Sequence, residues 1–288
     1  CGTGGFLVCA LEHLRKQVKN IEDEAELQKA ILGVEKKPLP HMLCTTNMIL
    51  HNIDNPQIKH DNSLSYPFKD IKAKDKVDII LTNPPFGGIE EDGVQDNFPT
   101  NYKTKETADL FLVLLMYKLN QTGRAAIVLP DGFLFGEGVK TIIKEKLLNE
   151  FNLHTIVRLP NGVFAPYTGI NTNLLFLERG KTEHIWFYEH QLPQGYKNYT
   201  KTKPIKIDEF DAEKAWWCAK DKSKREETDC AWKVSIEDIK ARNYNLDFKN
   251  PTTQIENEVQ SPHKIIEKTT QCLLRSTQIL AEIEEMLK

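Results

Sequence analysis

The chain has 288 residues, 40% hydrophobic and 27% charged, an ordinary balance for a globular protein with one large domain or a domain and an appendage. It contains no apolar run long enough to span a bilayer and no recognisable secretory leader, so a cytoplasmic protein without a membrane partner is expected. The net charge of −3 excludes bulk attraction to nucleic acid, so any phosphate contacts have to come from a local basic face or from a partner.

The chain opens Cys1-Gly2-Thr3-Gly4-Gly5-Phe6-Leu7-Val8 and passes into a helical pattern through Leu11, Leu14 and Val18. Glycines ahead of a helix let backbone N–H groups and the helix N-terminus approach a ligand closely. No strand precedes this loop, so it is either part of a broken strand-loop-helix unit or a flexible end. A charged helix (Glu22, Asp23, Glu24, Glu26, Lys29) leads to Ile31-Leu32-Gly33-Val34-Glu35, a short strand ending in a carboxylate. In nucleotide-binding α/β units such an acid holds ribose hydroxyls roughly 20 residues past the glycine loop. Here the separation from Gly5 is 35 − 5 = 30 residues, which leaves a solvent-facing glutamate as a competing reading.

Pro38 and Pro40 are read as closing the next turn, and Met42 to Leu50 as a helix. Gln57 to Leu64 is a third short strand with a polar end, where Asp61 or Asn62 either meets the edge of an adenine or caps the following turn. Val77-Asp78-Ile79-Ile80-Leu81-Thr82 then reads as a buried strand, stopped by Asn83-Pro84-Pro85-Phe86-Gly87-Gly88. The prolines fix an amide, a carbonyl and an aromatic ring at the strand's C-terminal end, where ligands sit in open α/β sheets. That trio suits methylation of a planar amine. The Asn83 oxygen and the Pro84 carbonyl accept the two amine hydrogens and free the nitrogen lone pair, while Phe86 stacks on the ring. The plain alternative is an Asn-Pro turn with a hydrophobic phenylalanine under it.

Ile89 to Thr107 is long, polar and rich in turn formers, and is read as a lid, with Lys103 and Lys105 as candidate phosphate contacts or simply solvated lysines. A buried helix (Ala108–Met116), a strand (Ala125–Pro130), a helix (Ile142–Leu148) and a strand (Leu153–Pro160) follow. The linker 161–170 is too short for a crossover helix, so the strand Asn171–Leu177 is expected to run antiparallel to its neighbour. The expected fold is therefore α/β: a Rossmann-like, mostly parallel sheet with one reversed strand. The six cysteines (1, 9, 44, 218, 230, 272) form no CxxC and no cluster with histidine, which predicts reduced thiols and no metal site.

The segments Cys1–Leu7, Asn83–Phe86, Val128–Gly132, Leu159–Phe164, Asn171–Phe176, Trp186–His190 and Tyr244–Asp247 stand in an order that resembles the modification (M) subunit of type I restriction-modification systems. The resemblance covers about the whole chain. It implies an S-adenosylmethionine-dependent methyltransferase acting on the exocyclic N6 amine of adenine in DNA. By position, Gly2, Thr3, Gly4 and Gly5 would line the methionine end of the cofactor, Glu35 its ribose and Asn62 its adenine. Asn83, Pro84, Pro85 and Phe86 would form the catalytic grip on the extruded base. The implied partners are double-stranded DNA with a flipped adenine, the specificity (S) subunit, a second M subunit and, in the full system, the restriction (R) subunit. A helical N-terminal domain and a strand ahead of the glycine loop, both usual in that family, are not found in this sequence.

The resulting division is a catalytic domain at 1–180 lacking its first strand, a family-specific extension at 181–250, and a C-terminal helix at 251–288. In that helix Ile266, Leu273, Leu280 and Leu287, beside Ile265, Cys272, Ile279 and Met286, recur every seven residues and suit a helical partner. The alternatives are a non-catalytic scaffold, favoured by the missing strand, and another amine methyltransferase acting on a protein glutamine or an RNA base.

Overall fold

The glycine-rich start runs into α1 (Gly5–Arg15), followed by α2 (Ile21–Ala30) and β1 (Leu32–Glu35). Asn20 caps α2 by accepting from the Asp23 amide, and Glu22, Asp23 and Glu24 place negative charge at the positive end of its dipole. The structure is a computed structural model that describes residues 1–218, 221–252, 266, 269–271 and 273–280.

α3 (Pro38–Leu50) starts earlier than the sequence suggests. Pro38 and Pro40 lie in its first turn rather than closing a turn before it. A proline there lacks only an N–H that would be unpaired anyway, and its fixed φ suits the helix. β2 (Gln57–His60) pairs in parallel with β1, in register Leu32 to Gln57 through Glu35 to His60. These two strands form a sheet of their own, packed on a small core of Leu11, Leu27, Ile31, Met48 and Ile53.

The larger sheet begins at β3 (Val77–Thr82) and continues with α4 (Thr107–Lys118), β4 (Leu119–Pro130), α5 (Asp131–Phe135), α6 (Val139–Glu150) and β5 (Phe151–Arg158). It is completed by β6 (Thr172–Arg179), β7 (His184–Glu189), α7 (Asp211–Trp216), β8 (Ala231–Ser235) and α8 (Ile236–Ala241). The spatial order is β3-β4-β6-β5-β7-β8. The β3–β4 and β5–β7 pairs are parallel, and β6 is antiparallel to both of its neighbours, as the short linker requires. β8, from the stretch read as an extension, adds a second reversed strand at the far edge. α4 is apolar on every side and is the centre of the main core, with Leu110, Leu112 and Val113 fully buried among β4, β5 and β6 side chains.

β3 pairs only with β4 among the described residues, so its other edge is open, and Ile79 and Leu81 are about half exposed. The chain divides into two compact units, Cys1–Asn250 and Pro251–Lys288. In the second unit Pro251 and Thr252 lie in a turn and the other described residues are helical, and Ile266, Leu273, Ile279 and Leu280 are exposed. Ile265, Cys272, Met286 and Leu287 lie outside the described residues. None of the described helices is long and apolar enough to cross a membrane.

Candidate active site

The glycine loop is shaped by Gly4, the N-cap of α1, at φ 89°. A Cβ there would lie 2.9 Å from Cys44 Sγ on α3, so the loop combines a left-handed backbone with a close helix–loop approach that only glycine allows. Thr3 is tied to the same helix, its carbonyl accepting from Asn47 Nδ2 at 3.2 Å. Gly5 begins α1, whose first turn leaves N–H groups without intrahelical partners.

Glu35 ends β1 and faces this loop. Its Oε2 accepts from the Gly2 amide at 2.8 Å and from the Cys1 ammonium at 3.2 Å, and its Oε1 from the Lys37 amide at 2.9 Å. Partial burial pushes the carboxyl up. The amides of Lys37 and Gly2, then the Cys1 ammonium, outweigh this and hold it below the usual glutamate range. The loop and the acid, 30 residues apart by sequence (35 − 5), are thus in direct contact. Asn62 follows β2. Its Oδ1 accepts from the Leu64 amide at 3.0 Å, an Asx turn, while its Nδ2 has no protein partner among the described residues. The neighbouring Asp61 is engaged by the Tyr66 hydroxyl and the Asn62 amide.

Asn83 is the first residue after β3 and is exposed, and no protein group bonds its amide among the described residues. Pro84 is buried, Pro85 exposed and Phe86 half-buried. The Phe86 ring meets Phe164 edge-to-face, with centroids 5.3 Å apart and an interplanar angle of 78°. Phe164 lies in the loop between β5 and β6. The sequence alone assigns this ring no role, because no periodicity or spacing signals that its loop folds back onto the residues that follow β3. Glu35 ends β1, and Asn62 and Asn83 follow β2 and β3, so all three stand at the C-terminal ends of parallel strands, as the crevice rule for α/β sheets requires.

The segment read as a lid is a folded loop. Ile89 pairs with Glu106 across an antiparallel bridge, Phe98 is buried, and 3-10 turns cover Val94–Asn97 and Thr100–Tyr102. Lys103 and Lys105 are exposed and pair with Asp96 at 2.7 Å and Asp92 at 2.8 Å, carboxylates of their own loop. A contact not foreseen joins the two halves of the site. Lys36, next to Glu35, pairs with Glu91 at 3.0 Å and Glu90 at 3.7 Å on the loop that leaves Phe86.

The arrangement therefore offers a carboxylate and helix N-terminus for a nucleoside-bearing ligand, next to an unpaired amide and two aromatic rings for a flat amine. Comparison with known proteins gives the family. The family model for N-6 DNA methylases matches residues 1–260. The chain is 61% identical over 256 residues to the EcoEI methylase subunit of a type I restriction enzyme from Escherichia coli, covering 87% of this chain and 52% of that protein. It is 31% identical over 209 residues to the EcoKI methylase subunit of Escherichia coli strain K12, covering 65% of this chain and 38% of that protein. A solved chain from work on the assembly and conformational transition of the type I R-M system superposes with a TM-score of 0.83 at 36% identity, over 100% of this chain and 60% of that one. The chain thus spans about half the length, or less, of these curated relatives.

Proposed function

Because this chain belongs to the N-6 DNA methylase family, in which it is similar to the methylase subunits of type I restriction enzymes, we propose that it transfers a methyl group from S-adenosylmethionine to the N6 amine of adenine in DNA. The observation that carries the reading is the Asn83 amide, exposed and unbonded among the described residues, at the end of β3 beside the Phe86–Phe164 ring pair. A flat base entering there finds an acceptor, a carbonyl and a stacking surface together.

The residues fit the cofactor. Glu35 already turns its carboxylate to the glycine loop, and Oε1, which accepts from the Lys37 amide alone among the described residues, keeps a lone pair for a ribose hydroxyl. The N–H groups of the first α1 turn that lack intrahelical partners suit a carboxylate, and Asn62 Nδ2 has no protein partner among the described residues. When bound, S-adenosylmethionine supplies an electrophilic methyl on its sulfonium. The rest belongs to the chain. Asn83 Oδ1 and the Pro84 carbonyl accept the two amine hydrogens, draw the nitrogen out of conjugation with the ring and leave its lone pair aimed at the methyl carbon. Forming the N–C bond would break the methyl–sulfur bond and leave a thioether, and the methylated amine gives up one proton to solvent water. Extruding the base costs a few kcal/mol. Stacking on Phe86 returns roughly 1–3 kcal/mol, and the edge of Phe164 restricts the ring to one plane.

The assembly proposed for this function contains duplex DNA, a specificity subunit, a second methylase subunit and the restriction subunit, in the cytoplasm. The exposed helical stripe at Ile266, Leu273 and Leu280 is proposed as the surface for a helical partner. Calorimetric titration with S-adenosylhomocysteine, followed by labelled-methyl transfer to duplex DNA with a specificity subunit, tests the reading. Binding and label recovered as N6-methyladenine support it. A folded chain that binds no cofactor leaves the scaffold reading, and label found only in protein or RNA leaves the other amine methyltransferases.

A further inference from the structure

Between Gln191 and Ile207 the chain carries Lys197, Lys201, Lys203 and Lys206 and no acid, in a protein whose net charge is −3. All four lysines are exposed, and none has an ion-pair partner among the described residues. Lys203 lies over the Tyr196 ring at 5.0 Å, while nearby Lys214 and Lys222 are held by Asp211 and Glu178. Thr200 and Lys203 close this stretch into a hairpin through two backbone bonds of 3.1 Å.

The hairpin is fixed to the site. Tyr199 is fully buried, its hydroxyl bonded to His190 Nε2 at 3.1 Å and to Glu209, and its amide donates to the Asn161 carbonyl at 3.1 Å. Asn161 opens the loop whose Phe164 meets Phe86. Between that loop and the hairpin lies a cleft of about 260 Å³, bordered by Thr168, Gly169, Asn198, Thr200 and Lys201. Hydroxyls, a side-chain amide and an ammonium are donors of the kind that phosphate oxygens take.

We propose that this hairpin and cleft are a DNA-phosphate contact, gripping the backbone beside the base presented to Phe86 and Phe164. The proposal rests on the DNA methyltransferase reading and names the surface through which an acidic chain meets its substrate. Each phosphate neutralised on duplex DNA lowers the slope of log affinity against log salt by roughly 0.9.

The test is fluorescence anisotropy of a short labelled duplex across a salt series, with the wild-type chain and K197Q/K201Q/K203Q/K206Q. A control variant, K16Q/K19Q/K29Q/K240Q, removes the same charge from exposed lysines elsewhere. The expected result is weaker binding by the hairpin variant and a slope shallower by roughly 2 to 4, with the control close to wild type. Equal slopes for wild type and hairpin variant, equal losses in both variants, or no duplex binding by wild type at low salt would overturn the proposal. Cofactor binding by the wild-type chain, measured in parallel, reads the methyltransferase assignment separately. A chain that grips duplex through the hairpin yet binds no S-adenosylhomocysteine keeps this inference and loses that assignment.

Discussion

Replacing Gly162 by alanine is the most direct test of how the Phe164 loop is held. Gly162 has φ +84°, where a Cβ costs about 1–2 kcal/mol. The added carbon would also overlap the Tyr199 carbonyl oxygen and lie 2.9 Å and 3.1 Å from the Tyr199 carbonyl carbon and nitrogen. These are backbone atoms, so relief requires the two segments to part. That breaks the bond from the Tyr199 amide to the Asn161 carbonyl, worth a net 0.5–1.5 kcal/mol or about that. Together the losses come to about 1.5–3.5 kcal/mol, or a fall in Tm of roughly 3–14 °C for a unit of this size. Thermal unfolding followed by circular dichroism reads the global effect, and hydrogen exchange at the Tyr199 amide reads local parting. A variant melting within a degree of wild type, with the Tyr199 amide equally protected, would refute the reasoning.

Asn83→Ala is expected to lower methyl transfer by at least about 100-fold while leaving S-adenosylhomocysteine affinity nearly intact, and lost cofactor affinity in a folded variant would contradict its role. Phe86→Ala should weaken capture of the base, read as a raised KM for DNA, by about 1–3 kcal/mol, and more than it weakens cofactor binding. Glu35→Gln removes a charged acceptor worth about 1.5–3 kcal/mol, so calorimetry should show cofactor affinity down by roughly tenfold or more, and unchanged affinity would remove Glu35 from the site. His154 is held well below its usual range, at about 3, chiefly by burial, with Lys222 and Arg225 adding repulsion. Its folded value lies below the unfolded one of about 6.5, so its contribution is whole above that pH and is lost as pH falls toward 3. The stability difference between wild type and His154→Gln should therefore shrink on acidification from pH 6.5, by at most about 1.4 kcal/mol per pH unit, and a constant difference would show that His154 is not neutral and buried.

The parts legible in the sequence were those encoded by unbroken apolar runs. α4 is found close to its ends because a buried helix needs nearly every side chain to be apolar, and β3 is found from its aliphatic run, although with one edge open none of its residues is buried as the sequence reading expects. The antiparallel sense of β6 followed from a linker with no room for a helix. Features that depend on tertiary contact were not legible. Pro38 and Pro40 look like a turn until the helix start is seen. Phe164 acquires a role only because its loop folds onto Phe86. Lys103 and Lys105 look free until Asp96 and Asp92 are placed beside them. The contact between Glu35 and the Gly2 amide also lay beyond local pattern, since an intervening helix stretches their separation past the customary spacing.

The two-stranded sheet of β1 and β2 has a consequence for the energetics of binding. A pair of short strands over a few buried side chains is a marginal structure, whereas the six-stranded sheet rests on the main core. Local opening is therefore cheapest in the half that holds Glu35, and amides there should exchange before those of β4 or β5. A ligand that binds only the closed form adds RT ln(1 + [L]/Kd) to the closing free energy, about 2.7 kcal/mol at a hundredfold excess over Kd. Cofactor occupancy would thus act as a structural member of the fold. Through Lys36 and its pairs with Glu90 and Glu91, that stiffening reaches the loop that leaves Phe86.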